Sequence, residues 1–173
     1  MKLKTFRKHI CVRFLNIFEH VPPQGSTLYK YDSKQYVSHV SKESVRAANL
    51  LLMPVSNNEH WTLLVADLKS LSWTFFDSLP NPTHKAVLPN VINHLHEETR
   101  DYFESDFRSW PLTVGSGVPT QKNRFDCGMF VCKYMKNAIL AHPFKWEELS
   151  HWQDEMPKFR AKLAFALLCK TIN

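Results

Sequence analysis

The stretch LLLMPVSNNEHWTLLVADLKSLSWTFFD, residues 50–77, decides the fold. Leu50 to Val55 is a short apolar run that reads as a buried strand, and it leads into the turn-like Ser56-Asn57-Asn58-Glu59. Trp61 to Asp67 and Leu71 to Asp77 read as two further strands. Asp67-Leu68-Lys69-Ser70 joins them with the length and composition of a four-residue hairpin loop. A turn centred between Leu68 and Lys69 sets His60 directly opposite Asp77. Residues so paired share a face of the sheet with Cβ atoms about 4.5–5.5 Å apart, close enough for an imidazole N–H to meet a carboxylate. A carboxylate on one ring nitrogen fixes the tautomer and leaves the other nitrogen to act as a base. The hairpin alone fits equally well a surface histidine that merely pairs with a strand-end aspartate.

Outward from this core, Leu88, Ile92, Leu95, Thr99 and Tyr102 mark one face of a helix that follows Pro80-Asn81-Pro82 and runs to about Phe107. Trp110 to Val114 reads as a strand, Gly115-Ser116-Gly117 with Pro119 as a loop, and Cys127 to about Leu140 as a helix ended by His142-Pro143. A last helix is expected to start near Pro157, with Phe159, Leu163, Ala166 and Leu167 on its buried face. Upstream, Ile10, Phe14, Ile17, Phe18 and Val21 fall at helical spacing over residues 7–21, before the stop Pro22-Pro23-Gln24-Gly25. With no repeat and no linker, the irregular alternation of strands and helices gives an α+β or mixed α/β class.

At 173 residues the chain fits one domain, able to bury roughly 68–70% of its unfolded surface. Hydrophobic residues at 44%, aromatics at 13% and only 4 glycines exclude a disordered or linker-like chain. The net charge of +6 invites a nucleic-acid partner. Its location argues against one: residues 1–50 carry 9 basic and 3 acidic side chains, while the remainder carries 13 of each sign. No aromatic and basic platform recurs along the chain, so nucleic acid is not an expected partner.

Cys11, Cys127, Cys132 and Cys169 lack the spacing of a secreted disulfide framework, so a reducing compartment is expected. Cys127 and Cys132 stand about 140° apart on a helix, and His94 and His96 about 200°, which makes neither pair a good metal chelate. No metal or cofactor is expected. The apolar run at the start of the chain is broken by His9 and Arg13, so neither a signal peptide nor a membrane span is expected.

In Gln121-Lys122-Asn123-Arg124-Phe125-Asp126-Cys127-Gly128 a cysteine opens an apolar helix directly after a polar loop. Unsatisfied N–H groups and the macrodipole at a helix N-terminus favour a thiolate, and a nearby imidazolium favours it further. Gly128 leaves room for a substrate backbone, backbone N–H groups at the turn can hold an oxyanion, and Gln121 can add a side-chain amide donor. Asp126 places a carboxylate beside the thiol and is assigned to capping the helix.

Asn58-Glu59-His60-Trp61, Phe75-Phe76-Asp77-Ser78 and Gln121 to Gly128 resemble the signature segments of the ubiquitin-like-protein-specific cysteine proteases, also known as SUMO or sentrin-specific proteases. The order His, Asp, Cys matches theirs, and Trp152 to Arg160 resembles the family's last helix, so the resemblance covers about residues 50–170. It implies a cysteine-protease fold with a central mixed sheet flanked by helices and the catalytic Cys127 at a helix N-terminus. It also implies His60 as general base, Asp77 as its orienting partner, Gln121 as oxyanion donor, and Trp61 against the substrate. Trp61 serves equally as a core aromatic. Cys11, Cys132 and Cys169 match no catalytic position and are expected to be buried small side chains.

The implied reaction is cleavage after the C-terminal Gly-Gly of a SUMO-like modifier, in conjugates or precursors, by a monomer in the nucleus or nucleo-cytoplasm. The basic stretch Lys2 to Lys8 fits that location. The same chemistry on another ubiquitin-like modifier and an inactive relative that only binds are the alternatives. Family members usually begin with a Trp-Leu-Asn-Asp type segment, which is absent from this sequence. The expectation is therefore a single catalytic domain over 1–173, with a divergent or truncated front at 1–49 and a catalytic core at 50–170.

Overall fold

The computed structural model describes residues 10–12, 15–16, 42–57, 59–103, 105–140 and 151–171. Strands β1 (Ile10–Val12), β2 (Leu15–Asn16), β3 (Leu50–Asn57), β4 (His60–Asp67), β5 (Ser72–Phe76) and β6 (Leu112–Val114) form one mixed sheet. Its order is β1-β3-β4-β5-β6, and β2 also pairs with β3. The β3–β4 and β4–β5 pairs are antiparallel, whereas β1 and β2 run parallel to β3, and β6 runs parallel to β5.

The helices are α1 (Lys42–Arg46), α2 (Pro82–Ala86), α3 (Leu88–Glu98), α4 (Cys127–Leu140) and α5 (Trp152–Thr171), with a 3₁₀ turn at Phe107–Ser109. None of the described helices is long and apolar enough to cross a membrane. The α+β class holds.

Side-chain alternation splits the core into two layers. Leu51, Met53 and Val55 of β3, Leu64 and Ala66 of β4, and Trp73 and Phe75 of β5 face α3, whose Leu88, Val91, Ile92 and Leu95 close that side with Phe107 and Trp110. Leu50, Leu52, Leu63, Val65 and Phe76 face the other way, onto Phe130, Val131, Tyr134 and Ala138 of α4 and Trp152 and Met156 of α5. Every residue of β3 is buried. That is why it reads as a continuous apolar run rather than an alternating one.

Several expectations change. Ile10–Val12 and Leu15–Asn16 are strands, not parts of a helix. Short apolar runs are ambiguous in period, and here the open edge of β3 decides. The parallel pairing stops opposite Leu52 and resumes at Val55, passing over Pro54, which has no N–H to give a ladder. Pro22 to Gly25 and His142-Pro143 lie outside the described residues. α3 ends at Glu98, with the Thr99 hydroxyl bonded to the Leu95 carbonyl, and does not reach Phe107. Phe107 and Trp110 turn back instead onto Trp73, whose indole N–H donates to the Phe107 carbonyl at 2.8 Å.

α5 begins at Trp152, so Pro157 lies within it. Its buried anchors are Trp152 and Met156, with Phe159 and Leu163 half-buried and Ala166 exposed. The start is set by tertiary contacts of Trp152 and Gln153 rather than by the proline. Cys132 is half-buried and Cys169 exposed, so neither is the fully buried side chain expected, and the side chain of Cys11 lies outside the described residues.

Gly115 closes the end of β6, donating its N–H to the Phe75 carbonyl at 2.8 Å. A Cβ there would lie 2.6 Å from two ring carbons of Phe76 and 2.8 Å from Val118 Cγ2. Phe76 is buried and cannot swing aside. Gly115→Ala is therefore expected to cost about 1–3 kcal/mol of stability, read as a lower urea midpoint at unchanged slope.

Candidate active site

His60 is the first residue of β4; it pairs with Asn57 of β3, and Glu59 just before it takes a positive φ of 62°. Asp77 follows immediately after β5. The observed register pairs Leu63 with Phe76 and Asp67 with Ser72, two residues away from the pairing expected from sequence. Leu71, at φ 52°, takes a left-handed loop position that the sequence does not advertise with glycine or asparagine. A shift of two preserves the face, so His60 and Asp77 meet diagonally rather than directly opposite. His60 Nε2 lies 2.8 Å from Asp77 Oδ1.

Asp77 has more donors than the sequence suggested. Oδ1 also accepts the Leu79 N–H at 2.9 Å, and Oδ2 accepts His84 Nδ1 at 2.8 Å. Burial pushes the Asp77 carboxyl up, but the hydrogen bonds from His60, Leu79 and His84 outweigh it, and its pKa lies below the usual carboxylate value. His84 was not singled out from sequence. The available signal was the helix start Asn81-Pro82, where Asn81 Oδ1 accepts the Thr83 N–H and places His84 one turn in.

The ligand atoms of His60, Asp77 and His84 lie within 4.8 Å of one another, close enough to suggest a metal site. The orientation is wrong for one. The two rings stack with centroids 4.3 Å apart and planes inclined by 20°. A metal must lie about 2.0–2.1 Å from each nitrogen and near both ring planes, and nearly parallel planes at this separation do not meet there.

Cys127 opens α4 and is buried. A Cβ added at Gly128 would sit 3.8 Å from Trp61 Cδ1, so the head of α4 lies against the residue that follows His60. No hydrogen bond joins Cys127 to His60. Gln121 is buried and held at three points: its N–H donates to the Ser78 carbonyl at 2.7 Å, its Oε1 accepts the Ser78 hydroxyl at 2.7 Å, and its Nε2 donates to the Asn123 carbonyl at 2.5 Å. One amide hydrogen of Gln121 stays uncommitted. Ser78, next to Asp77, thus ties the Gln121 loop to the end of β5.

Asp126 does not use its side chain as a helix cap. Fully buried, it accepts Asn123 Nδ2 at 2.7 Å and Gln153 Nε2 at 2.8 Å on Oδ2, and Arg160 Nη1 at 2.6 Å on Oδ1. Its carboxylate fastens α5 to the loop before the cysteine, and the guanidinium compensates its charge.

A family model described as the Ulp1 protease family, C-terminal catalytic domain, matches residues 17–170. The chain belongs to the Ulp1 protease family. The match begins well ahead of residue 50, the expected start of the resemblance. Sentrin-specific protease 5 of Mus musculus is 32% identical over 123 residues, which are 70% of this chain and 16% of that protein. Ubiquitin-like-specific protease 1A of Arabidopsis thaliana is 32% identical over 120 residues, 68% of this chain and 23% of its own length.

The chain thus spans less than a quarter of these Ulp1-family relatives. Among solved structures, SUMO protease Ulp1 with its catalytic cysteine oxidised to a sulfenic acid shares the fold at a TM-score of 0.54 and 21% identity, over 81% of this chain and 67% of that one. The Ulp1-like SUMO protease catalytic domain of Chaetomium thermophilum gives 0.51 at 21% identity, over 73% and 50%.

Proposed function

We propose that this chain is a thiol protease domain that cleaves after the C-terminal Gly-Gly of a SUMO-like modifier, releasing it from isopeptide conjugates or from a precursor. The observation that carries the proposal is the His60–Asp77 bond at the head of β4, next to Trp61, whose Cδ1 lies 3.8 Å from where a Cβ on Gly128 at the start of α4 would stand. Relatives named as sentrin-specific and SUMO proteases supply the substrate class.

Asp77 holds His60 as the Nε2–H tautomer, so Nδ1 takes the proton of Cys127. The thiolate adds to the glycine carbonyl, and the oxyanion takes hydrogen bonds from the free amide hydrogen of Gln121 and from backbone N–H groups at the head of α4. Collapse expels the amine, which receives its proton from His60, and leaves a thioester. Water, deprotonated by His60, then hydrolyses the thioester to the free glycine carboxylate and restores the thiol. Trp61 and Gly128 border the passage for the extended terminus. The contact of base and nucleophile closes with substrate, as catalytic hydrogen bonds do in many enzymes. These steps need no metal or cofactor. The domain is proposed to act as a monomer over 1–173, with its core at 50–170, in the nucleus or nucleo-cytoplasm.

Incubation with ubiquitin-like modifiers that end in a thiol-reactive electrophile tests the proposal. A covalent adduct with a SUMO-type modifier, absent in Cys127→Ala, is expected. No adduct with any modifier from a folded protein overturns the activity, and an adduct with a different modifier alone overturns the substrate.

A further inference from the structure

His84 lies outside the three signature segments, yet two independent contacts tie it to the His60–Asp77 pair. Its Nδ1 lies 2.8 Å from Asp77 Oδ2, and its ring stacks on that of His60 at 4.3 Å. Both side chains are shielded, with 11% of His84 and 4% of Asp77 exposed. The helix that carries His84, α2, buries none of its five residues in the core. The His84 imidazole is a point at which it meets the body of the protein, at Asp77 and His60.

We propose that His84 is a positioning residue for the protease chemistry, holding the free oxygen of Asp77 and bracing one face of the His60 ring; the inference rests on the function proposed above. Asp77 has two oxygens to orient. Oδ1 serves His60 and the Leu79 N–H, and without His84 the other oxygen is a buried acceptor with no partner, free to draw the carboxylate out of the His60 plane. The stack acts on a different freedom. Rotation of the His60 ring out of its plane runs into His84, so Nε2 stays on Asp77 and Nδ1 stays aimed away from it. Because Asp77 accepts from both rings, each histidine is fixed as one tautomer: Nε2–H for His60 and Nδ1–H for His84.

Three variants separate the contributions. His84→Ala removes both contacts, His84→Asn keeps an N–H near the Nδ1 position, and His84→Phe keeps the stacked ring. The readouts are site-resolved alkylation of Cys127 by iodoacetamide at pH 7, with exposed Cys169 as internal reference, and the ¹⁵N spectrum of the His60 imidazole. Turnover of a modifier substrate is measured beside them.

His84→Ala is expected to slow Cys127 alkylation and lower kcat by about 10- to 100-fold with KM within about threefold, and to mix the tautomers of His60. His84→Asn is expected to recover most of the rate, and His84→Phe less. Wild-type alkylation together with a single His60 tautomer in a folded His84→Ala protein overturns the role. If His84→Ala does not fold, equal rates in His84→Asn and His84→Phe, both matching wild type, overturn it. A wild-type Cys127 no more reactive than Cys169 counts against the proposed function, and the tautomer spectrum still decides the role of His84.

Discussion

Asp77→Ala is expected to lower kcat by about 10³- to 10⁴-fold, and Asp77→Asn by only about 10- to 100-fold. The difference follows from the three donors on this carboxylate. In a triad whose aspartate orients a single histidine, an amide can present its N–H₂ to the ring and hold the wrong tautomer, at a cost of about 10⁴ in rate. Here the asparagine carbonyl has a strong reason to occupy the Oδ1 position, where His60 and the Leu79 N–H both donate. The amide then faces His84, which can move its own proton to Nε2 and accept. His60 keeps its tautomer and loses only the charge that steadies its imidazolium.

Alanine has no such remedy, because it leaves His60 unoriented and buried donors unpaired. Steady-state kcat and KM on a modifier substrate, with thermal melts to show that each variant is folded, check the order. Equal losses in the two variants would contradict the three-donor arrangement. Since Asp77 titrates below the usual carboxylate value, its charge persists throughout neutral pH and it does not set the acid limb of activity.

The sequence revealed those elements whose signals are local. The buried β3, the hairpin and the helix from Cys127 to Leu140 each carry an apolar pattern within a single window. His60 and Asp77 can be paired from sequence even though the observed register differs by two residues, because a slip of two leaves both on one face. What stayed hidden depends on partners far along the chain. Three residues at Ile10–Val12 become a strand only because Leu50 to Leu52 offer an edge. The role of Asp126 is hidden in the sequence because its partners Gln153 and Arg160 lie on α5, far along the chain, whose start at Trp152 no local signal marks. His84 is not legible in the sequence because a short helix with no buried residues has no hydrophobic signature, and the contact His84 makes with Asp77 is polar.

Arg160→Ala is expected to destabilise the fold by about 2–3 kcal/mol and to slow Cys127 alkylation at pH 7 by several fold. Breaking a buried ion pair by removing one partner costs about 3–5 kcal/mol; the value here falls below that range because 42% of the Arg160 side chain is exposed and water can follow the deletion. Asp126 itself is only 1% exposed, so its carboxylate, on the residue before Cys127, stays shut in with Asn123 and Gln153 as its remaining donors. Those are neutral. An uncompensated negative charge next to Cys127 opposes formation of the thiolate through a medium that screens poorly. The two effects therefore share one origin, the charge on Asp126, and should be relieved together. Adding Asp126→Asn to Arg160→Ala is expected to recover about half of the lost stability and most of the alkylation rate, because an amide can stay in the pocket without a counterion. Urea denaturation of the four proteins of this cycle, with site-resolved alkylation of each, measures the coupling. Additive losses would show that Arg160 acts on α5 alone and not on Cys127.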